Sequence, residues 1–126
     1  MTETSKAMIE EHPNISLMKQ LDPRDVGAAA DIFAPDVIFH YFNPLLPDIQ
    51  GDYIGLRGIG TFFEKIGSLT GGTFQVEPIS ATAVGDELVV THTKNRMTFQ
   101  GEPIATDVVV VWRIVDGHIT EVWDIP

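Results

Sequence analysis

An α+β fold, with helices leading and a β-meander closing the chain, is what this sequence predicts, and three observations carry the prediction. Apolar residues recur at helical spacing ahead of residue 73, as at Ile59, Phe62, Phe63, Ile66 and Leu69. From Thr73 to Pro126 the pattern changes to β-rich runs. Those runs are divided by Gly85-Asp86, Gly101-Glu102 and Asp116-Gly117, which are turn dipeptides between apolar segments. Helices that lead, rather than alternate with strands, imply helices gathered on one face of a curved antiparallel sheet.

The elements follow in order. Met8, Ile9, Ile15, Leu17, Met18 and Leu21 mark the first helix, which Pro13 offsets to a start near Asn14. Asp22 offers an N-cap with Pro23 at the first helical position, and Val26, Ala29, Ala30 and Phe33 form the stripe of a second helix ending by Ala34-Pro35. Asp36 to Phe42 is β-branched and aromatic, a strand closed by Asn43-Pro44. Leu45 to Gly58 reads as a loop, and the third helix runs from there to Gly71-Gly72. Strands then centre on Phe74 to Ala83, Leu88 to Phe99, Ile104 to Val115 and Ile119 to Ile125.

Length and charge narrow the function classes. The chain suits a single domain over 1–126, large enough to bury roughly two thirds of its unfolded surface. A hydrophobic share of 44 % beside 21 % charged residues is globular composition. The absence of cysteine removes disulfides, thiolate metal ligands and a cysteine nucleophile. A formal charge of −10 opposes the cation-rich surface that nucleic acid or anionic membrane requires, so neither is an expected partner. The polar N-terminus, acidic from Glu3, holds no signal-like or membrane-spanning stretch, and the expected location is the cytoplasm.

A two-residue turn at Asp116-Gly117 sets Ile114 opposite Ile119, Trp112 opposite Glu121 and Val110 opposite Trp123. The face holding Val108, Val110, Trp112, Ile114, Ile119, Glu121 and Trp123 suits an interior. The other face holds Val109, Val111, Arg113, Val122 and Asp124. A turn at Gly101-Glu102 extends the interior to Thr91, Thr93, Asn95, Met97 and Phe99 and sets Arg96 opposite Asp107 outside; a one-residue bulge would reverse this. Both faces are substantially apolar although helices cover one, so the outer face is expected to pack against a second subunit as a homodimer.

Asp36-Val37-Ile38-Phe39-His40, then Asn43-Pro44-Leu45, Gly51-Asp52-Tyr53-Ile54-Gly55 and the Ile59/Phe62/Phe63 helix resemble the SnoaL-like polyketide cyclase and ketosteroid-isomerase-like families. Trp112-Arg113-Ile114, Asp116-Gly117-His118-Ile119, Glu121 and Trp123 resemble the closing hairpin of those families. The resemblance spans almost the whole chain. It implies the cystatin-like fold of nuclear transport factor 2: a cone of three N-terminal helices packed on a strongly curved, mainly antiparallel sheet, commonly dimeric through the sheet. It is specific for fold rather than activity, because this fold hosts isomerases, cyclases, dehydratases, epoxide hydrolases and non-catalytic binders. Steroid isomerisation by an aspartate base, a tyrosine and a protonated aspartate finds no support, since the resemblance puts Tyr41, Leu17 and Val110 at those positions.

Two residues stand as acid–base candidates. His40 lies among the aromatics of the first strand with a side chain that titrates near neutrality, unless it is a hydrogen-bonded strand histidine. Glu121, read as inward between Trp112 and Trp123, gains a raised pKa from desolvation, unless it reaches solvent at the sheet edge. Tyr41, Tyr53, Phe63, Asn95, Val110, Trp112 and Trp123 are the candidate substrate-binding residues, an aromatic wall with polar handles, or else ordinary core. Arg96 with Asp107, and His92 with Lys94, read as outer-face or interface groups. No cofactor is expected. No metal is expected either, because His12, His40, His92 and His118 lack zinc-binding spacing. The glycines from Gly55 to Gly60 follow no strand of a βαβ unit, and no serine sits in an elbow motif. The reading is an isomerase or cyclase that moves a proton on a hydrophobic, polyketide- or steroid-like carbonyl compound; the alternative is a non-catalytic ligand-binding or dimerisation module.

Overall fold

The structure, a computed structural model, describes residues 12–21 and 30–126. Helix α1 (Pro13–Met18) begins at His12, whose Nδ1 accepts a bond from the Asn14 N–H at 3.1 Å, and Pro13 occupies the first turn, where no N–H is needed. Strand β1 (Phe33–Tyr41), a short 3₁₀ turn (Pro47–Ile49), strand β2 (Gly51–Ile54) and helix α2 (Gly55–Thr70) come next. Strands β3 (Gln75–Val84), β4 (Leu88–Phe99), β5 (Glu102–Val115) and β6 (His118–Ile125) complete the chain. The six strands lie in the order β2-β1-β6-β5-β4-β3, antiparallel throughout except for the parallel pair β1 and β6. Register shifts in β1, β3 and β6 bend this mixed sheet into a curve.

The expected trio of N-terminal helices is corrected. Two α-helices occur among the described residues, and α2 enters only after two strands. The helix expected from Asp22 falls largely on residues 22–29, outside the described residues, and its expected end at Phe33 and Ala34 already belongs to β1. β2 replaces part of the expected loop. It is four residues long and pairs on one side with β1, too short to show an alternating pattern.

Helix α2 buries Ile59, Phe62, Ile66 and Thr70 against the sheet and stops at Gly71, whose left-handed φ of 62° suits glycine. Gly58 lets it approach β2, for a Cβ there would lie 3.0 Å from the Tyr53 carbonyl carbon. Val37, Val89, Ile119 and Val122 form the floor of the core, each at most 1 % exposed. No helix among the described residues is long and apolar enough to cross a membrane.

Two turns decide which side chains face α2. The β4–β5 turn is centred on Gln100 and Gly101, both at positive φ, one residue earlier than expected. That slip moves every cross-strand partner by two, so Thr91, Asn95 and Met97 still share the inner face with Val108 and Val110. Partners do change. Asp107 stands opposite Lys94 and binds His92 at 2.9 Å, whereas Arg96 pairs with Glu77 at 3.3 Å, which corrects the Arg96–Asp107 pairing.

The β5–β6 turn at Asp116 and Gly117 is as expected, with Ile114 opposite Ile119. Thr120 is then an extra residue, so Arg113 stands opposite Glu121, Trp112 opposite Val122 and Val110 opposite Asp124. This bulge inverts the rest of β6. Val122 and Asp124 turn inward; Glu121 and Trp123, expected inside, turn to the outer face.

Candidate functional site

The inner face brings Tyr41 of β1 beside Asp124 of β6, on directly paired positions of the parallel ladder. Alternation along β1 puts Val37, Phe39 and Tyr41 on the buried side, and the Thr120 bulge puts Asp124 on the same side. Burial pushes the Asp124 carboxyl up to about 7. No hydrogen bond reaches it from the described residues, and the side chain is half-buried at the wall of a groove. Burial likewise pushes the Tyr41 phenol up to about 12; a hydrogen bond from Asn43 opposes the rise and the Asp124 charge adds to it. Asn43 Nδ2–H donates to the Tyr41 oxygen at 3.0 Å, while Asn43 Oδ1 accepts from the Leu45 N–H at 3.0 Å. Tyr41 thus accepts from Asn43, and its own O–H meets no acceptor among the described residues.

The other expected binding residues divide into anchored and open groups. Tyr53 donates to the Ile49 carbonyl at 2.6 Å, and its ring packs edge-on against Phe62 at 5.4 Å, a core role. Phe63 touches Phe62 at 5.2 Å and is half-buried. Trp112 lies inward with its indole N–H bonded to Thr91 Oγ1 at 2.9 Å. Val110 is buried next to Asp124. Asn95 accepts a bond from Thr93 Oγ1 at 2.9 Å, which leaves its amide nitrogen without a partner among the described residues.

His40 and Glu121 are brought together, but on the outer face. His40 Nε2 lies 2.6 Å from Glu121 Oε2 and Nδ1 lies 2.7 Å from Asp52 Oδ1, with the ring stacked on Trp123 at 5.6 Å. Burial pulls the imidazole pKa down, yet the bonds to Glu121 and Asp52 outweigh it and the net shift is upward. An outer groove of about 620 Å³ runs past this row, lined by Phe42, Val111, Arg113, Trp123 and Ile125, with Tyr41 and Asp124 also reaching its wall. No group of three His, Asp or Glu side chains among the described residues is placed to hold a metal.

Asp124, like Glu121 and Trp123, is placed on the wrong face by strict alternation. Its signal is the three-residue spacing of the apolar Ile119 and Val122, which strict alternation forbids and an inserted residue explains.

Residues 16–122 match the SnoaL-like domain. No curated protein matches the chain in sequence. Among solved structures, a cystatin-like protein of unknown function from Xanthomonas campestris is 25% identical with a TM-score of 0.73, over 88% of each chain. The TerC protein co-crystallised with polyporic acid is 23% identical with a TM-score of 0.76, over 90% of each chain. A candidate polyketide cyclase from Sinorhizobium meliloti is 20% identical with a TM-score of 0.62, over 80% of this chain and 82% of its own. The fold is therefore cystatin-like, of the nuclear transport factor 2 type.

Proposed function

The chain belongs to the SnoaL-like domain family, and from that premise we propose an enzyme of the isomerase or polyketide-cyclase type that moves a proton on a neutral, hydrophobic carbonyl compound. The observation that carries the reading is the inward Asp124 carboxyl, raised by burial to about 7. A group balanced between its two protonation states at neutral pH can both take and return a proton.

The steps follow from the inner face. A substrate carbonyl oxygen accepts the Tyr41 O–H, whose direction is fixed by the Asn43 amide on its other side. The Asp124 carboxylate removes a proton from the carbon next to that carbonyl. Electron density moves onto the oxygen as an enolate, which Tyr41 stabilises. Protonated Asp124 then returns the proton to another carbon of the conjugated system, or the enolate carbon attacks a second carbonyl, closing a ring as that C=O π bond becomes an alkoxide, which takes the proton from Asp124. Tyr41, Val110, Trp112, Phe63 and Asn95 are the side chains assigned to substrate contact. The inner faces of β4, β5 and β6 carry no lysine or arginine, which favours an uncharged substrate over a carboxylate or phosphate.

His40 and Glu121 are reassigned from catalysis, because both imidazole nitrogens are engaged by carboxylates on the outer face. For partners, the reading keeps a homodimer through that face, supported by the exposed Val84, Val109 and Ile125. A cysteine-free acidic chain also fits the cytoplasm.

The test is a ligand screen by thermal shift over hydrophobic carbonyl compounds, polyporic acid included, in which a hundredfold excess over Kd adds about 2.7 kcal/mol. With a ligand in hand, Asp124→Asn should abolish turnover while ligand affinity is retained. Ligand binding with no turnover in the unaltered protein would make it a binding module instead.

A further inference from the structure

On the outer face, His40 sits between two carboxylates carried by two other strands: Asp52 on β2 and Glu121 on β6. Carboxylates only accept hydrogen bonds, so both contacts can be made at once only when both ring nitrogens carry protons. We propose that Asp52, His40 and Glu121 form a protonation-dependent clamp that positions Tyr41 and Asp124 for proton transfer, with His40 as a positioning residue.

The placement carries the argument. His40 pairs with Asp52 across the β1–β2 ladder and with Trp123 across the β1–β6 ladder. The next residue along both strands is the inner pair, Tyr41 beside Asp124. β2 is an edge strand that pairs with β1 alone, so the His40–Asp52 bond reinforces its single ladder, and the His40–Glu121 bond spans to β6. The groups facing the imidazole are Asp52 from β2 and Glu121 with the Trp123 ring from β6. Arg113 of β5 stands opposite Glu121 but binds Glu87 at 2.9 Å, and Ile38 and Phe42, the outward neighbours on the histidine's own strand, are uncharged.

Loss of the proton removes one of the two bonds and leaves two carboxylates beside a neutral ring. Because the histidine is favoured in its charged form, the clamp is complete below the ordinary histidine range and opens as the pH rises through the raised folded value. The catalytic consequence rests on the Asp124 reading; the clamp itself does not.

The experiment is an NMR titration of the full chain with labelled histidine nitrogens and aspartate carboxyl carbons, together with amide exchange. His40 should titrate above the ordinary value of about 6.5. Asp52→Asn and Glu121→Gln should each lower that midpoint by about one unit. His40→Asn should move the Asp124 midpoint and speed exchange of the β2 amides. Where His40→Asn fails to fold, the two carboxylate variants give the same readout. An ordinary His40 midpoint, or an Asp124 titration unmoved by any of the three variants, overturns the clamp. An ordinary Asp124 value beside a raised His40 overturns the proton-transfer reading and the positioning with it.

Discussion

Asp124 is held where an ionised carboxylate is disfavoured, and its sign with pH can be worked out. A carboxyl raised from 3.8 to about 7 on folding contributes stability below its unfolded value and loses it as pH rises through the folded one. The difference is up to about 4 kcal/mol at pH 8, from three units at about 1.36 kcal/mol each. Asp124→Asn should therefore gain stability relative to the unaltered chain between about pH 4 and 7. Chemical denaturation across that range checks it, and a pH-independent difference would remove the basis for Asp124 as acid–base group. Tyr41→Phe tests its neighbour. It strands the buried Asn43 amide without its acceptor, at a cost of about 1–3 kcal/mol. It also removes the proposed donor, so turnover of an accepted substrate should fall by roughly 10²-fold or more. Loss of stability with unchanged turnover would leave Tyr41 a purely structural residue.

Among the elements, the closing hairpins were the most legible because their turns are chemically explicit. Asp116 and Gly117 adopt positive φ, as their residue types favour, and the strands they join begin and end where the apolar runs do. Trp112 fell on the expected face for that reason, and Asn95 did because the one-residue slip of the β4–β5 turn shifts partners by two and so preserves the face. Trp123 and Glu121 did not, since the Thr120 bulge is an insertion that no turn residue announces, and an apolar tryptophan reads equally well on either side of a sheet with two apolar faces. The pairing of Tyr41 with Asp124 was beyond local reading, because the parallel contact between β1 and β6 joins the two ends of the chain. β2 was missed for lack of length. Its dependence on a close helix gives a matched prediction. Gly58→Ala adds a methyl against the Tyr53 backbone, and overpacking of about 1–3 kcal/mol exceeds the helix-propensity gain of about 1 kcal/mol. Gly60→Ala in the same helix meets nothing within 4 Å and should stabilise by up to about 1 kcal/mol. Thermal unfolding of the pair should show opposite signs, and equal signs would mean that α2 does not rest on β2 as described.

At the scale of the whole molecule, the sheet separates two chemistries, a desolvated inner face and an outer face with its own ion-paired row and apolar strip. Val109 and Ile125, directly paired across β5 and β6, are 40 % and 50 % exposed, and Val111 and Trp123 continue the strip on the next outward pair. A sheet face of this composition is the expected seat of the homodimer. A stable interface needs roughly 800 Å² from each partner, about a tenth of this chain's 7681 Å² surface. Light scattering should then give twice the 13.9 kDa of one chain. Val109→Lys, placed where the side chain is already exposed, should shift the species to 13.9 kDa with its fold intact. Dimerisation would also bury the Asp52–His40–Glu121 row, and taking that row out of water penalises whichever of its groups lacks a partner. The dimer should consequently weaken as the pH rises and His40 loses the proton that lets it bind both carboxylates, and Glu121→Gln, which removes one of those charges, should flatten that dependence. A single 13.9 kDa species at all concentrations and pH values would show that the apolar strip is not a self-association face.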